Sequence, residues 1–211
     1  MSSIGLLFVG AVLLINGVML LGGVDTKTAG VFNLFVGGLQ TLIPTYLVVT
    51  ADSADAVLGA SGIFLFGFTY LYVGITNLAG YEGTGLGWYS AWVSVLAVGF
   101  GVVNWVRFDD PATALLWFQW SVLWALFFAL IALGRSELTT LTGWFAIIAS
   151  VTTCTVPGFV GLLGEAVPVG VVAAALIATA AVVAAIGIRT VPAALATHRS
   201  APAPAPVPVG V

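Results

Sequence analysis

Aromatic side chains at helical spacing are the feature of this sequence most suited to binding a small molecule. Trp117, Trp120 and Trp124 stand at positions i, i+3 and i+7, so on a helix their indoles share one face. Upstream, Phe68 and Tyr72 form an i, i+4 pair. If the two faces converge, they form a slot walled by flat rings, with indole N–H groups and a hydroxyl available for hydrogen bonds.

A third face lies near the N-terminus. Leu6, Val9, Leu13 and Asn16 recur at the same periodicity, which places three aliphatic side chains and one amide in a row. We predict that this row completes the slot. Tryptophans at helical spacing are, however, more often a helix-packing surface than the lining of a pore, and buried amides often join helices by hydrogen bonds. The sequence leaves both interpretations open.

Catalytic and metal-binding groups are scarce. Every Asp and Glu falls in a loop or at the end of a predicted helix, His198 is the only histidine, and Cys154 is the only cysteine. Acid–base pairs, nucleophile–histidine pairs and metal-ligand clusters cannot be assembled from this set within the membrane. We therefore expect no enzyme activity, no cofactor and no metal. Five Lys and Arg residues also fall short of the basic surface that nucleic acid requires.

The composition identifies a lipid bilayer as the solvent of the fold. Hydrophobic residues make up 61% of the 211 residues and charged residues 6%, whereas a soluble domain has about 25% charged residues. A membrane helix takes about 20 apolar residues, and charges and turn residues divide the chain at that interval. We predict an all-α integral membrane protein with seven transmembrane helices, at residues 4–21, 28–50, 56–78, 85–106, 112–133, 138–163 and 167–188.

Basic residues are distributed unequally between the two ends of these helices. Lys27, Arg135, Arg189 and Arg199 fall on one side of a seven-helix arrangement, and Arg107 falls on the other. Because basic loops stay in the cytoplasm, we predict an extracytoplasmic N-terminus and a cytoplasmic C-terminus. Alternating proline and alanine near the end predict a disordered, Pro/Ala-rich cytoplasmic tail over residues 190–211.

A short pattern recurs three times in the chain. Gly-Val-Phe at 30–32, Gly-Trp-Tyr at 87–89 and Gly-Trp-Phe at 143–145 stand 57 and 56 residues apart, and each opens the second helix of a consecutive pair. Coincidence among 26 glycines is one explanation. If the repeat is structural, helices one to six form three tandem hairpins, and the odd-numbered helices surround an axis that can hold a pore.

Six segments resemble the urea/amide channel family, which includes the proton-gated urea channel of gastric bacteria and the amide channels found beside amidases. The segments are LLFVGAVLLING (6–17), VDTKT (24–28), NLFVGGL (33–39), LFGFTYLY (65–72), WYS (88–90) and WFQWSVLW (117–124). They follow the family's order, and the similarity covers residues 1–163. Residues 164–189 form an additional seventh helix that the six-helix urea channel lacks.

The resemblance implies a protomer with its own pore, assembled as a homohexamer among lipids of the bacterial cytoplasmic membrane. It implies an aromatic constriction of four residues: Phe68, Tyr72, Trp120 and Trp124. The matching flanking pore positions are Leu6, Val9, Leu13, Asn16 and Trp117.

The expected function is passive passage of urea, acetamide and other short neutral amides. Family members that open in acid carry histidines in their extracytoplasmic loops and a glutamate on the sixth helix. Ala149 takes the matching position here, so we expect no proton gating. Two alternatives stay open: a non-transporting membrane scaffold or subunit, and a proton-coupled transporter of small solutes. The lack of mid-membrane carboxylates disfavours the second alternative.

Overall fold

The computed structural model describes residues 2–200, with side chains through residue 196, and every regular element in that range is helical. Seven helical segments are long and apolar enough to cross a membrane, and we number them spans 1 to 7. Their bounds are Ser3–Leu20, Thr26–Val49, Ala54–Ala79, Thr84–Val106, Pro111–Ile131, Ser136–Leu162 and Val169–Ala196. Each begins within two residues of its predicted start. The predicted all-α architecture with seven membrane helices is confirmed.

Local sequence explains where several spans begin. The Asp25 side chain accepts hydrogen bonds from the backbone N–H groups of Lys27 and Thr28, which caps the start of span 2. Asp110 caps span 5 in the same way through Thr113 N at 2.9 Å. These carboxylates lie at helix N-termini, where the helix dipole favours negative charge. This capping role explains why these two acidic residues lie at the ends of spans.

Two spans are composite. Span 3 joins the helices Ala54–Ser61 and Ile63–Ala79 at Gly62. Span 6 begins with a 3-10 turn, Ser136–Leu138, continues as Thr139–Ala149, widens into a π-helical stretch, Ser150–Thr155, and ends as Val156–Leu162. Pro157 has no N–H to donate to a carbonyl in the preceding turn, which accounts for the irregular backbone hydrogen bonding of span 6 at this point.

The glycines of the repeat make equivalent contacts between spans. A Cβ on Gly30 would lie 3.1 Å from atoms of Asn77 and Leu78 near the end of span 3. A Cβ on Gly87 would lie 2.6 Å from the backbone N of Ala132 after span 5, and one on Gly143 3.0 Å from Leu21 after span 1. Spans 2 and 3, 4 and 5, and 6 and 1 are accordingly the closest pairs. The repeat therefore has a structural counterpart, a ring of six helices.

Span 7 lies outside this ring and packs against spans 5 and 6. Its helix, Val169–Ser200, continues past residue 189, where the composition predicted a tail. Residues 190–200 are thus helical and not a disordered tail. The alanine-rich stretch after Pro192 has a high helix propensity, which explains this difference. The rest of the predicted tail, residues 201–211, lies outside the described residues.

Candidate functional site

A cavity of about 110 Å³ lies in the ring of six helices. Spans 1, 3 and 5 supply most of its lining, and span 4 contributes Leu86 and Ser90. No Asp, Glu, Lys, Arg or His belongs to this lining within the described part of the chain. The site is therefore an uncharged chamber of aliphatic, aromatic and a few hydroxyl and amide groups.

The lining repeats with the interval of the glycine pattern. Leu13, Tyr70 and Phe127 all face the cavity, and each is 57 residues from the next. The residues one turn further along the three spans, Asn16, Val73 and Leu130, also line it. Equivalent positions of the three hairpins thus surround the same space. This is the arrangement expected of a pore on the axis of a threefold internal repeat.

Phe66 on span 3 lies in contact with two tryptophans of span 5. Its ring centroid is 5.0 Å from that of Trp120, nearly edge-on at 88°, and 4.8 Å from that of Trp124. Tyr70 follows one turn later, 6.4 Å from Phe66, and all four rings line the cavity. Edge-to-face and tilted contacts at these distances are favourable for aromatic pairs. The cavity therefore has one rigid wall built of flat rings.

Hydrogen bonds fix the orientation of both indoles. Trp120 donates from Nε1 to the Thr153 hydroxyl at 2.9 Å, and that hydroxyl donates in turn to the Ala149 carbonyl at 2.6 Å. Thr153 belongs to the π-helical stretch of span 6. Trp124 donates from Nε1 to the Thr69 hydroxyl at 3.3 Å. Buried indole N–H groups usually find such partners, and here the partners hold the rings in place.

Two amides of the cavity differ in how strongly their side chains are hydrogen-bonded to the protein. Asn16 and Asn33 exchange reciprocal hydrogen bonds of 3.0 and 2.7 Å between spans 1 and 2, so the Asn16 side chain is tied to its neighbour. Asn77 donates to the Met19 sulfur at 3.6 Å, a weak interaction. The Asn77 amide is thus the better placed of the two to exchange hydrogen bonds with a solute.

A second cavity, of about 300 Å³, lies at the end of the bundle where spans 1, 3 and 5 begin. We call this end the mouth and this cavity the vestibule. Leu6, Thr113 and Leu116 line the vestibule, together with residues that follow span 6. Trp120 lines both the vestibule and the inner cavity. The Trp120 indole therefore stands at the boundary between the two.

The structure does not bring Phe68 and Tyr72 to the tryptophans. Phe68 is 50% exposed and lines an outward groove of about 590 Å³ with Tyr89 and Trp92. Tyr72 is 38% exposed. A step of two residues along a helix rotates the side-chain direction by about 200°. Phe66 and Tyr70 therefore face the cavity, whereas Phe68 and Tyr72 face away from it.

The remaining predicted site residues divide into three groups. Trp124, Leu13 and Asn16 line the cavity, together with Trp120. Leu6 lines the vestibule, and Val9 is fully buried one turn from it. Trp117 lies behind the cavity wall, with its ring stacked on Phe100 at 4.9 Å. Close packing of Trp117 against Gly62 leaves no space for a solute on that side.

Comparison with known proteins identifies the family. A family model described as "AmiS/UreI family transporter" matches residues 1–165. The chain belongs to the AmiS/UreI family. Its members are transporters and channels, which confirms the prediction that the chain is not an enzyme.

Named relatives of the AmiS/UreI family support this assignment. The putative transporter protein AmiS2 of Rhodococcus erythropolis is 51% identical over 166 residues, which cover 78% of this chain and 81% of that protein. A putative amidate substrates transporter protein of Mycolicibacterium smegmatis is 42% identical over 188 residues, covering 88% of each chain. The crystal structure of the Helicobacter pylori urea channel matches with a TM-score of 0.71 and 30% identity, covering 79% of this chain and 100% of that one. The protein is therefore a multi-pass membrane transporter with the fold of that channel.

Proposed function

We propose that this protein is a passive channel for small neutral amides such as urea, acetamide and short aliphatic amides. The observation that carries the proposal is the uncharged, ring-walled cavity between spans 1, 3 and 5. The names of relatives as an amidate substrates transporter and a urea channel indicate the same class of solute.

Selection follows from the chemistry of the lining. An amide that leaves water without new partners loses several kcal/mol of hydration, roughly 2–7 kcal/mol per polar group. Contact of its flat face with Phe66 and Tyr70, and hydrogen bonds with Asn77, offset part of that loss. Ammonium and acetate ions meet no countercharge in the lining, so they face a far larger penalty and are excluded.

We assign the conducting constriction to Phe66, Tyr70, Trp120 and Trp124. Trp120 and Trp124 are retained from the sequence prediction, and Phe66 and Tyr70 replace Phe68 and Tyr72 on span 3. Leu13 and Asn16 keep their flanking role, Leu6 moves to the vestibule, and Trp117 acts as a packing residue.

Conduction needs no proton gradient in this proposal. Ala149 is fully buried and its methyl side chain has no group that titrates. A proton-coupled transporter would need an ionisable group deep in the membrane, and among the described residues the inner cavity is lined by no carboxylate or histidine, since Asp110 and Glu165 lie in the vestibule at the mouth. A non-transporting scaffold would need no cavity lined by its tryptophans, so the cavity favours the channel over this alternative.

The mouth is extracytoplasmic in this proposal, because the basic residues Lys27, Arg135 and Arg189 lie at the opposite end. The proposed site of action is the bacterial cytoplasmic membrane, where lipids surround a homohexamer. Outward aromatic residues such as Phe68 and Trp92 supply apolar surface for neighbouring subunits and lipid chains.

Uptake by proteoliposomes tests the proposal. Acetamide and urea should enter protein-containing vesicles faster than empty ones, at a rate unchanged when the proton gradient is collapsed. Uptake that requires the gradient would establish proton coupling instead. A correctly assembled oligomer with no permeability above that of lipid would support the scaffold alternative.

A further inference from the structure

The vestibule is built in part by residues of the connection to span 7. Glu165, Ala166 and Val167 line it after span 6, and Val172 lines it from the first turns of span 7. Leu6 of span 1 and Leu116 of span 5 line the same cavity. The seventh helix therefore contributes a wall of the space that leads to Trp120.

This wall lies beyond the part of the chain that the family model describes. The match of the model ends at residue 165, before Ala166, Val167 and Val172. Similarity to the mycobacterial relative covers more of the chain, 88%. The wall is thus an addition to the part of the chain that the family model matches.

Span 7 is held in place along its length. Val172 is 4% exposed and Thr179 is 2% exposed, whereas Ile177, on another face of the same helix, is 71% exposed. Near the other end of the span, a Cβ on Gly187 would lie 3.3 Å from the side chain of Leu141 in span 6. One face of the helix is therefore fixed against the bundle, and its first turns stay at the mouth.

We propose that the segment from Ala166 to Val172 is part of the solute path and sets which amides reach the constriction. The inference rests on the proposed channel function. Beside the Glu165 carboxylate, the apolar side chains of Ala166, Val167 and Val172 give the wall a surface that accepts the alkyl part of an aliphatic amide. Urea has no alkyl part, so the wall favours aliphatic amides over urea. The same wall limits the length of the alkyl group that passes.

Tryptophan substitutions on two faces of span 7 test the proposal. Val172→Trp narrows the vestibule, so acetamide flux into proteoliposomes should fall about tenfold or more, and butyramide flux should fall further. Ile177→Trp places the same ring on the exposed face and should change neither flux by more than about twofold. Val172→Ala widens the vestibule and should raise the ratio of butyramide to acetamide flux, because these two amides differ in alkyl length. Oligomer assembly is checked by size-exclusion chromatography for each variant.

The outcomes separate this inference from the proposed function. If the parent conducts amides and assembled Val172→Trp and Val172→Ala proteins conduct like it, the vestibule inference is overturned and the channel function stands. If the parent conducts no amide, the proposed channel function is wrong, and the vestibule inference that rests on it is wrong too.

Cysteine labelling gives a second test that does not depend on tolerance of a large side chain. Cys154 is the only cysteine, so Cys154→Ala provides a background without thiols. In that background, a bulky membrane-impermeant thiol reagent should react with Val167→Cys and block acetamide flux. Asp52→Cys, in a loop at the same end of the bundle, should react without loss of flux. Unchanged flux after complete labelling of Val167→Cys would overturn the proposal.

Discussion

Two faces of span 3 carry aromatic residues at identical spacing and meet different surroundings. Phe66 and Tyr70 are 2% and 3% exposed and line the cavity with the tryptophans of span 5. Phe68 and Tyr72 are 50% and 38% exposed on the outside of the protomer. In a bilayer both faces are apolar, so hydrophobicity cannot tell an interior face from an exterior one as it does in water. Position in the ring, rather than residue type, decides which aromatic pair can contact a solute.

The largest effect is expected at neighbouring glycines of span 2, one facing in and one facing out. A Cβ on Gly37 would lie 2.6 Å from the backbone N of Leu71, whereas none of the neighbouring atoms comes within 4 Å of a Cβ on Gly38. Gly37→Ala should therefore destabilise the bundle by about 1–3 kcal/mol or more through overpacking. Gly38→Ala should be neutral or stabilising by up to about 1 kcal/mol through helix propensity. Thermal unfolding in detergent measures both, and equal midpoints would contradict the packing of spans 2 and 3.

The next effect concerns the two tyrosines of span 3. Tyr70→Ala removes a ring from the cavity wall, so the ratio of butyramide to acetamide flux should rise about fivefold or more. Tyr72→Ala removes a ring from the outer surface and should leave that ratio within about twofold of the parent. A larger change from Tyr72→Ala would place the pore on the other face of span 3.

A smaller effect is expected where span 6 holds Trp120. Thr153→Val removes the acceptor of the Trp120 N–H, and an unpaired buried donor costs about 1–3 kcal/mol. The thermal midpoint should fall, and acetamide flux should change severalfold as the indole loses its fixed orientation. Thr153→Ser keeps a hydroxyl at the same position and should restore most of both quantities. Equal behaviour of the two variants would show that this hydrogen bond does not position Trp120.

Much of the architecture follows from the sequence because charged and turn-forming residues interrupt the apolar stretches at intervals of about one membrane-spanning helix. The starts of all seven spans were predictable for this reason. The boundary after residue 189 was not, since the alanine-rich segment can continue a helix despite Pro192. Composition alone does not show where helix propensity outweighs a single proline.

The candidate site was predictable in part. Trp120, Trp124, Leu13 and Asn16 share helical faces that the sequence displays, and all four line the cavity. Span 3 offered two aromatic pairs of equal spacing, and the choice between them needed the repeat. Adding the interval of 57 residues to Leu13 leads to Tyr70 and then to Phe127, both of which line the cavity. Asn77 lies two helical turns beyond Tyr70, and its polar amide marks the same interior face.

Thr153 carried no comparable signal in the sequence. Its hydroxyl reaches Trp120 through a π-helical turn, and the turn shifts the register of span 6 relative to a regular helix. The role of span 7 at the vestibule was equally hidden, because it depends on how the connection after Glu165 folds back over the mouth.

The most direct test of the central claim is acetamide flux through two tryptophan variants of span 3, measured side by side in proteoliposomes. Val73 lines the cavity, and Ile75, two residues away, is 49% exposed on the outer face. We predict that Val73→Trp fills the cavity and abolishes flux above the lipid background, while Ile75→Trp conducts like the parent. Full conduction by an assembled Val73→Trp channel, or a block caused by Ile75→Trp, would contradict a path between spans 1, 3 and 5.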